Sequence, residues 1–213
     1  RQNLMFSATM PKAIGQLAGR MLHRPVEVDI SPEAPTTDRI EQYISFVQKA
    51  DKRQLLIDLI EGQMVACGIV FTRTKHAANR LAKQLSKVGI PSDSIHGDKS
   101  QTARTRALEA FRNGDVFILV ATDIASRGID VEDITHVFNF DLPNEPEVYI
   151  HRIGRTARAG REGLAYSFCD ETESGYLVGI QQLLGEEIDV LEDQPYHFEK
   201  ARPKPGQKPG RVK

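Results

Sequence analysis

The sequence has no tryptophan and only two cysteines among its 213 residues. Cys67 and Cys169 lie in apolar runs at no metal-like spacing, so we expect reduced core thiols in a cytoplasmic protein rather than a disulfide. No window approaches the roughly 18 consecutive apolar residues of a membrane span, and no basic stretch followed by an apolar core marks a signal peptide. The chain also lacks an initiator methionine, from which we expect a fragment or a processed product.

The net charge of −1 conceals a basic C-terminal end. Residues 194–213 carry six lysines and arginines against one acidic residue, and they are rich in proline and glycine. Because few large apolar side chains follow Phe198, we predict a disordered basic tail over residues 194–213. Such a tail either keeps the protein in solution or attracts nucleic acid by neutralising its phosphates.

The middle of the chain alternates short apolar runs with amphipathic helical patterns. The apolar runs predict strands at residues 39–47, 68–72, 116–122, 134–140 and 163–169, with a shorter strand within 90–97. Helical spacing of apolar residues predicts helices at 52–63, 74–89, 101–112 and 173–185, with Ser100 as a helix cap. Strands that are apolar on both faces and separated by helices indicate an α/β fold with a parallel sheet covered on both sides.

The first 30 residues differ from the rest. LMFSATM, residues 4–10, predicts a strand that ends in a polar loop, and residues 11–24 predict a helix with one apolar face. A linker punctuated by proline follows at residues 31–38. We therefore predict that residues 1–30 are the end of another domain and that residues 39–193 form the main one.

Ligands of open parallel sheets bind at loops that leave the carboxyl ends of strands. Three polar segments flank the predicted strands and are candidates for such loops. They are TRTK at residues 72–75, ATDIASRGID at residues 121–130 and HRIGRTARAGREG at residues 151–163.

The second polar segment has the residue types of a phosphate and sugar site. Arg127 and Gly128 offer a guanidinium and approachable backbone N–H groups to phosphates, and Asp130 offers a carboxylate to a sugar hydroxyl. Simpler roles stay open, because Thr122 and Asp123 also suit a helix cap and Arg127 a solvated surface charge.

The third polar segment places arginines at every third position, at Arg152, Arg155, Arg158 and Arg161. Gly154 and Gly160 weaken helix continuity, so we expect Arg155 and Arg158 near a helix end or in a turn. Two guanidiniums that converge there suit a cluster of polyphosphate oxygens. A solvated basic patch is the simpler alternative.

The phosphate-binding loop G-x-x-x-x-G-K-[ST] does not occur, and GQKPGRVK near the C-terminus does not match it. No acidic cluster with an obvious Mg²⁺ role stands out, and neither does a nucleophile paired with a base. An arginine cluster without a phosphate cradle is half of a phosphoryl-transfer site. Such arginines act from across an interface, as arginine fingers do.

The polar segments, taken in order, resemble those of the DEAD-box RNA helicases of superfamily 2, and among them the bacterial type with a short basic tail. The resemblance spans residue 1 to about residue 190 and implies the C-terminal RecA-like lobe, preceded by the last strand and helix of the N-terminal lobe. The matching segments are SAT (7–9), IVFTRTK (69–75), HGDKSQTAR (96–104), ATDIASRGIDV (121–131) and HRIGRTARAG (151–160).

The resemblance implies a nucleotide site for ATP with Mg²⁺, held mainly by the N-terminal lobe. Arg155 and Arg158 would contact the γ-phosphate, with Arg158 as the finger. Asp130 would accept from the ribose beside Gly128, and His151 would bridge to the N-terminal lobe. No metal ligand is implied in this chain.

The resemblance also implies sequence-independent binding of the RNA backbone, which suits a chain with only 7% aromatic residues. Ser7 and Thr9 would couple hydrolysis to strand separation. The residues that would line the RNA path are Thr72, Arg73, Gly97, Gln101, Arg104, Thr122, Asp123, Arg127 and Gly128.

Two other functions stay open on the sequence: a nucleic-acid-binding module without enzymatic role, and half of a DNA-directed superfamily 2 motor. The helix within residues 1–30 has an apolar face suited to cover another domain. We therefore expect it to pack on the N-terminal lobe or, when severed from that lobe, to pack on a neighbouring copy of the chain, as in a dimer or swap, or to stay disordered.

Overall fold

The chain separates into two compact units, Arg1–Thr36 and Thr37–Lys213. The computed structural model describes residues 2–7, 10, 12–29, 39–126, 131 and 133–210, apart from the side chains of residues 12, 13, 126 and 159. Within these residues, no helix is both long and apolar enough to cross a membrane.

The first unit contains helix α1, Lys12–Met21, as the sequence predicts. Its apolar side chains remain in contact with water, since Leu17 is 45% and Met21 is 61% exposed. The predicted strand at residues 4–10 is wrong for its described part, because residues 4–7 form no regular structure. A lone strand has no neighbour for its backbone hydrogen bonds, and the described residues of this unit include no other strand.

Over its described residues, the second unit is built around a parallel sheet of seven strands, in the order β3–β4–β2–β5–β6–β1–β7. This confirms the predicted α/β fold. The short β7 is the strand that the sequence missed, because two residues carry no readable periodicity. The strands are β1 Ile40–Phe46, β2 Gly68–Phe71, β3 Ser92–Ile95, β4 Ile118–Ala121, β5 His136–Asn139, β6 Gly163–Cys169 and β7 Asp189–Val190.

Helices cover both faces of this sheet. Residues of α2 and α3 pack on one face, and residues of α4 to α7 pack on the other. Thr74 and Ser100 cap α3 and α4, since each hydroxyl accepts a bond from a backbone N–H in the first turn. The helices are α2 Lys52–Gly62, α3 Lys75–Lys87, α4 Gln101–Arg112, α5 Asp123–Ser126, α6 Pro146–Ile153 and α7 Ser174–Leu184.

The C-terminal segment, residues 194–210, packs on the second unit. The predicted disordered tail is therefore wrong for these residues. Phe198 N donates to Phe46 O at 2.9 Å, and Ala201 is fully buried in a short 3-10 turn. The guanidinium of Arg202 lies 5.2 Å from the centre of the Phe46 ring. The prolines reduce the entropy that ordering costs, so a few apolar contacts are enough to hold the segment.

Candidate functional site

Strands β3, β4 and β2 are neighbours, so the loops after them meet at one border of the sheet, the carboxyl edge. Arg104 on α4 joins this edge, because its guanidinium donates to Ala125 O of α5 at 3.4 Å. The structure thus brings together most of the residues predicted to line the RNA path. At or beside the edge lie Thr72, Arg73, Gly97, Gln101, Arg104, Thr122 and Asp123.

Arg73 extends from the end of β2 and is held in place by neighbouring groups. Its backbone N–H donates to Asp141 Oδ2 at 2.9 Å. Its guanidinium Nη2 donates to Glu173 Oε1 at 2.7 Å and to Leu142 O at 3.2 Å. The side chain is nevertheless 43% exposed, so part of the guanidinium stays open to a ligand.

Behind Arg73 lies a buried ionic cluster, the Lys52 cluster, formed by Lys52, Asp141, Asp170 and Glu173. The Lys52 ammonium is fully buried and lies 3.0 Å from Asp170 and 2.5 Å from Glu173. Burial disfavours the charged amine, but the three carboxylates outweigh that effect and raise the pKa of Lys52. Burial also raises the pKa of Glu173, against the opposing charge of Lys52. One carboxylate, Glu173, therefore links the buried lysine to Arg73.

The sequence analysis missed this cluster. Lys52 opens α2, and Glu173 precedes α7. They are 121 positions apart in the chain, and lysine is almost never fully buried unless it is paired. The only signal was a lysine at the start of a helix whose neighbouring positions are apolar, which does not identify a partner.

Asp123 and Arg152 form a second ionic contact at the carboxyl edge. Arg152 is 2% exposed, and its Nε donates to Asp123 Oδ1 at 2.6 Å. It also donates to Asn139 Oδ1 at 3.2 Å and to Asp141 O at 2.6 Å. Arg152 thus joins the ends of β4 and β5, a role that the sequence analysis did not assign.

The arginine pair, Arg155 and Arg158, lies just past the end of α6, as the sequence predicts. Each side chain folds back on the helix: Arg155 Nε donates to His151 O at 3.2 Å, and Arg158 Nε donates to Gly154 O at 3.1 Å. Between them, Ala157 has a φ of 55°, a left-handed conformation that makes a sharp turn. Burial and the charge of Arg158 lower the pKa of Arg155.

The turn that carries the arginine pair packs near the start of β5 and β6, whereas Arg152 of the same segment contacts the carboxyl edge. The segment leads into Gly163, the first residue of β6. The Thr156 hydroxyl donates to Ile134 O at 2.5 Å, just before β5 begins. Because the strands are parallel, this is the opposite, amino-terminal side of the sheet. A β-carbon at Gly163 would collide with the Thr156 side chain, so the turn packs directly on the strand.

Two further predicted site residues are exposed. His151 is exposed on α6, and Ser7 is exposed in the first unit. Outside the described residues lie Thr9, Arg127, Gly128 and Asp130.

Comparison with known proteins shows which sequences this chain resembles. A model of the helicase conserved C-terminal domain matches residues 51–160. The ATP-dependent RNA helicase CshA of Listeria monocytogenes is 40% identical over 192 residues, which cover 90% of this chain and 37% of that protein. The chain therefore spans little more than a third of the length of this curated relative.

Solved structures agree with the sequence relatives. The Escherichia coli DEAD-box protein SrmB, bound to regulator of ribonuclease activity A, is 35% identical with a TM-score of 0.69 over 81% of this chain and 98% of that chain. Saccharomyces cerevisiae Dbp5, bound to RNA and ADP BeF3, is 33% identical with a TM-score of 0.79 over 87% of this chain and 50% of that chain. The chain therefore belongs to the DEAD-box helicase family and carries its helicase C-terminal domain.

Proposed function

We propose that this chain supplies the C-terminal lobe of an ATP-dependent RNA helicase. In this proposal, residues 39–193 are the C-terminal RecA-like domain, joined through the linker 31–38 to the end of the N-terminal lobe at residues 1–30. The named relative is an ATP-dependent RNA helicase. We propose a cytoplasmic location for this chain, because its two proposed ligands, ATP and RNA, are both present there.

The arginine pair is the observation that carries the proposal. Both side chains fold back on the end of α6, and burial, together with the charge of Arg158, lowers the pKa of Arg155. Two neighbouring guanidiniums suit a ligand that carries several negative charges. A triphosphate is such a ligand, because each planar guanidinium binds its oxygens in bidentate fashion.

In this proposal ATP with Mg²⁺ is held mainly by the N-terminal lobe, and the triphosphate supplies the leaving group for hydrolysis. Arg158, assisted by Arg155, stabilises the charge that develops on the γ-phosphate. Asp130 accepts from the ribose hydroxyl beside Gly128. His151 connects the arginine pair to the N-terminal lobe, and Ser7 and Thr9 transmit the event to the RNA.

The carboxyl edge is the proposed RNA path. Arg73 and Arg104 offer cations there, Thr72 and Thr122 lie at the ends of two neighbouring strands, and Gly97 is exposed in a loop. Space is open around the Gly97 Cα, so a backbone could pass close to it. Cations and small residues without aromatic platforms suit recognition of the sugar–phosphate backbone rather than the bases.

The remaining proposed RNA contacts are Gln101, Asp123, Arg127 and Gly128. The proposed RNA contacts and the proposed nucleotide contacts share only Gly128, so RNA and nucleotide can bind together. If both contact the N-terminal lobe as well, each ligand favours the closed arrangement and their binding is cooperative. Closure would bring the arginine pair to the triphosphate and bend the RNA strand, which separates a short duplex.

Substitution of the arginine pair tests the catalytic role. In a protein that contains both lobes, or with the N-terminal lobe added in trans, Arg158→Ala should lower RNA-stimulated ATP hydrolysis by about 10³-fold. ATP affinity should change only severalfold, because a finger contact acts mainly in the transition state. Arg161→Ala is the matched control, since this neighbouring arginine is exposed and pairs with Asp133.

Two results would count against the proposal. Equal losses of hydrolysis and ATP affinity would remove the finger role. ATPase at background with the lobe added in trans, while RNA binding persists, would favour a binding module without enzymatic role.

We also propose that the first unit contributes an apolar surface to the N-terminal lobe. Phe6 is 88% and Leu4 is 70% exposed, and the apolar side of α1 is exposed as well. Without the rest of that lobe, these side chains should bring two copies of the chain together. Light scattering tests this: a monomer at all concentrations would contradict it.

A further inference from the structure

We propose that residues 203–210, acting through Tyr176, position Arg73 for the RNA backbone. The inference rests on the proposed role of Arg73 at the carboxyl edge. It assigns a function to the last part of the C-terminal segment and makes Tyr176 a positioning residue, with no direct contact to RNA required.

The first link is the contact between Arg73 and Tyr176. The Arg73 guanidinium carbon lies 5.5 Å from the centre of the Tyr176 ring, within the range of a cation–π interaction. Glu173 and Leu142 hold the same guanidinium through Nη2. The ring and the two acceptors together fix the plane of the guanidinium, while 43% of the side chain stays exposed.

The second link is the contact between Tyr176 and Gly210. A β-carbon placed on Gly210 would lie 2.9 Å from Tyr176 Cδ1 and 3.1 Å from Cε1. Only a glycine leaves room for the ring at that distance. The ring of Tyr176 is therefore in contact with the Arg73 guanidinium and also packs against the backbone at Gly210.

The third link is the attachment of the segment to α7. Gly210 N donates to Gly175 O at 2.8 Å, and Gln207 Nε2 donates to Ser174 Oγ at 2.8 Å. Pro209 Cβ lies 3.7 Å from the position of a β-carbon on Gly179. Three successive parts of the segment thus lie along the first two turns of the helix that carries Tyr176.

These contacts order Arg73 before any ligand binds. A free arginine side chain loses rotamer freedom when it captures a phosphate, which weakens binding. In this chain, the segment fixes the ring and the ring fixes the guanidinium. Release of the segment should therefore weaken RNA binding without any change of charge.

Gly175→Ala separates this effect from stability. A β-carbon at Gly175 would lie 3.0 Å from Gly210 N, so alanine should displace the segment, although alanine favours the helix itself. Gly62→Ala is the matched control, because a β-carbon at this helical glycine of α2 meets nothing within 4 Å. Hydrogen exchange of the Gly210 amide reports release, and fluorescence anisotropy with a labelled single-stranded oligouridine reports RNA affinity.

We expect Gly175→Ala to weaken oligouridine binding by about threefold, the size of an exposed cation–π contact, and Gly62→Ala to leave it unchanged. Tyr176→Leu acts on the ring directly and should give a similar loss whether or not the segment stays in place. Tyr176→Phe keeps the ring and should restore the affinity to within about twofold of the original chain.

Repeating the substitutions in an Arg73→Ala background identifies the route. If the segment and the ring act through Arg73, neither Gly175→Ala nor Tyr176→Leu should weaken binding further in that background. The positioning role alone would be overturned if the losses of RNA affinity from these substitutions and from Arg73→Ala were fully additive. It would also be overturned if Tyr176→Leu left the affinity unchanged while Arg73→Ala weakened binding. Unchanged affinity in Arg73→Ala would instead refute the proposed RNA contact of Arg73, and the inference with it.

Discussion

The carboxylate of Asp123 binds the guanidinium of Arg152 through two bonds, of 2.6 Å to Nε and 3.0 Å to Nη2. Burial distinguishes Arg152, which is 2% exposed, from the other arginines of its segment. Arg155 and Arg158 are half-buried at the turn after α6, and Arg161 is exposed beside Asp133. The four arginines are thus evenly spaced in the sequence but occupy three different environments in the structure.

The Arg152–Asp123 pair predicts a stability effect. Arg152→Lys should lower the free energy of unfolding by about 2 kcal/mol, because lysine cannot make the bidentate contact with Asp123 and leaves the buried side chain of Asn139 short of a bond. Arg161→Lys, in the same segment, should change it by less than about 0.5 kcal/mol. Urea unfolding measures both, and equal effects would contradict the structural role of Arg152.

The Lys52 cluster predicts a larger effect. Lys52→Met should destabilise the fold by about 3 kcal/mol, because Asp170 and Glu173 are left facing each other without a buried cation. Adding Glu173→Gln to this variant should recover part of the loss, since it removes one of the two carboxylates. Lys49→Met, at an exposed position just before α2, is the control. A destabilisation by Lys52→Met no greater than that of Lys49→Met would rule out the cluster.

His136 predicts sensitivity to acid. It is 8% exposed, and its Nδ1 lies 2.7 Å from Thr135 Oγ1. Burial lowers its pKa below the usual 6.5. The folded state therefore favours neutral histidine, so its contribution is complete above pH 6.5 and is lost as the pH falls toward the folded-state pKa.

A pair of variants isolates this contribution. His136→Phe should lose less stability than the original chain between neutral pH and pH 5, as measured by thermal unfolding. Burial also lowers the pKa of His96, so part of the acid sensitivity should remain. His76→Gln is the control, because it removes a histidine that is exposed on α3 rather than buried. Identical profiles for His136→Phe and the original chain would contradict the prediction.

The C-terminal segment predicts different results for two truncations. Removal of residues 194–213 should destabilise the fold by about 3 kcal/mol, because Phe198 and Ala201 no longer cover their apolar neighbours. Removal of residues 203–213 should spare stability but weaken RNA binding and flatten its salt dependence, because it deletes basic residues. Calorimetry measures the stability of both truncated chains, and titrations of RNA affinity against salt concentration measure the electrostatic effect. An unchanged salt slope in the shorter deletion would dismiss the electrostatic role of the tail.

The sequence by itself determined the architecture of the second unit and the order of its candidate sites. Apolar runs such as residues 68–72 and 163–169 correspond to central strands, and Ser100 caps α4 as predicted. These features are readable because strand and helix periodicity and capping act between residues near one another in the chain. The strand β7 could not be predicted in this way, because two residues are too few to show a periodicity.

Only the tertiary structure decided which charges are buried and which segments are ordered. Lys52 meets Glu173 across 121 positions, and the C-terminal segment is held by contacts with β1 and α7. The arginine pair was found in sequence, but the packing of its turn near the start of β5 and β6 follows from the path of α6 into β6. Ion pairing and burial depend on distances in space, and local patterns of residue types do not encode those distances.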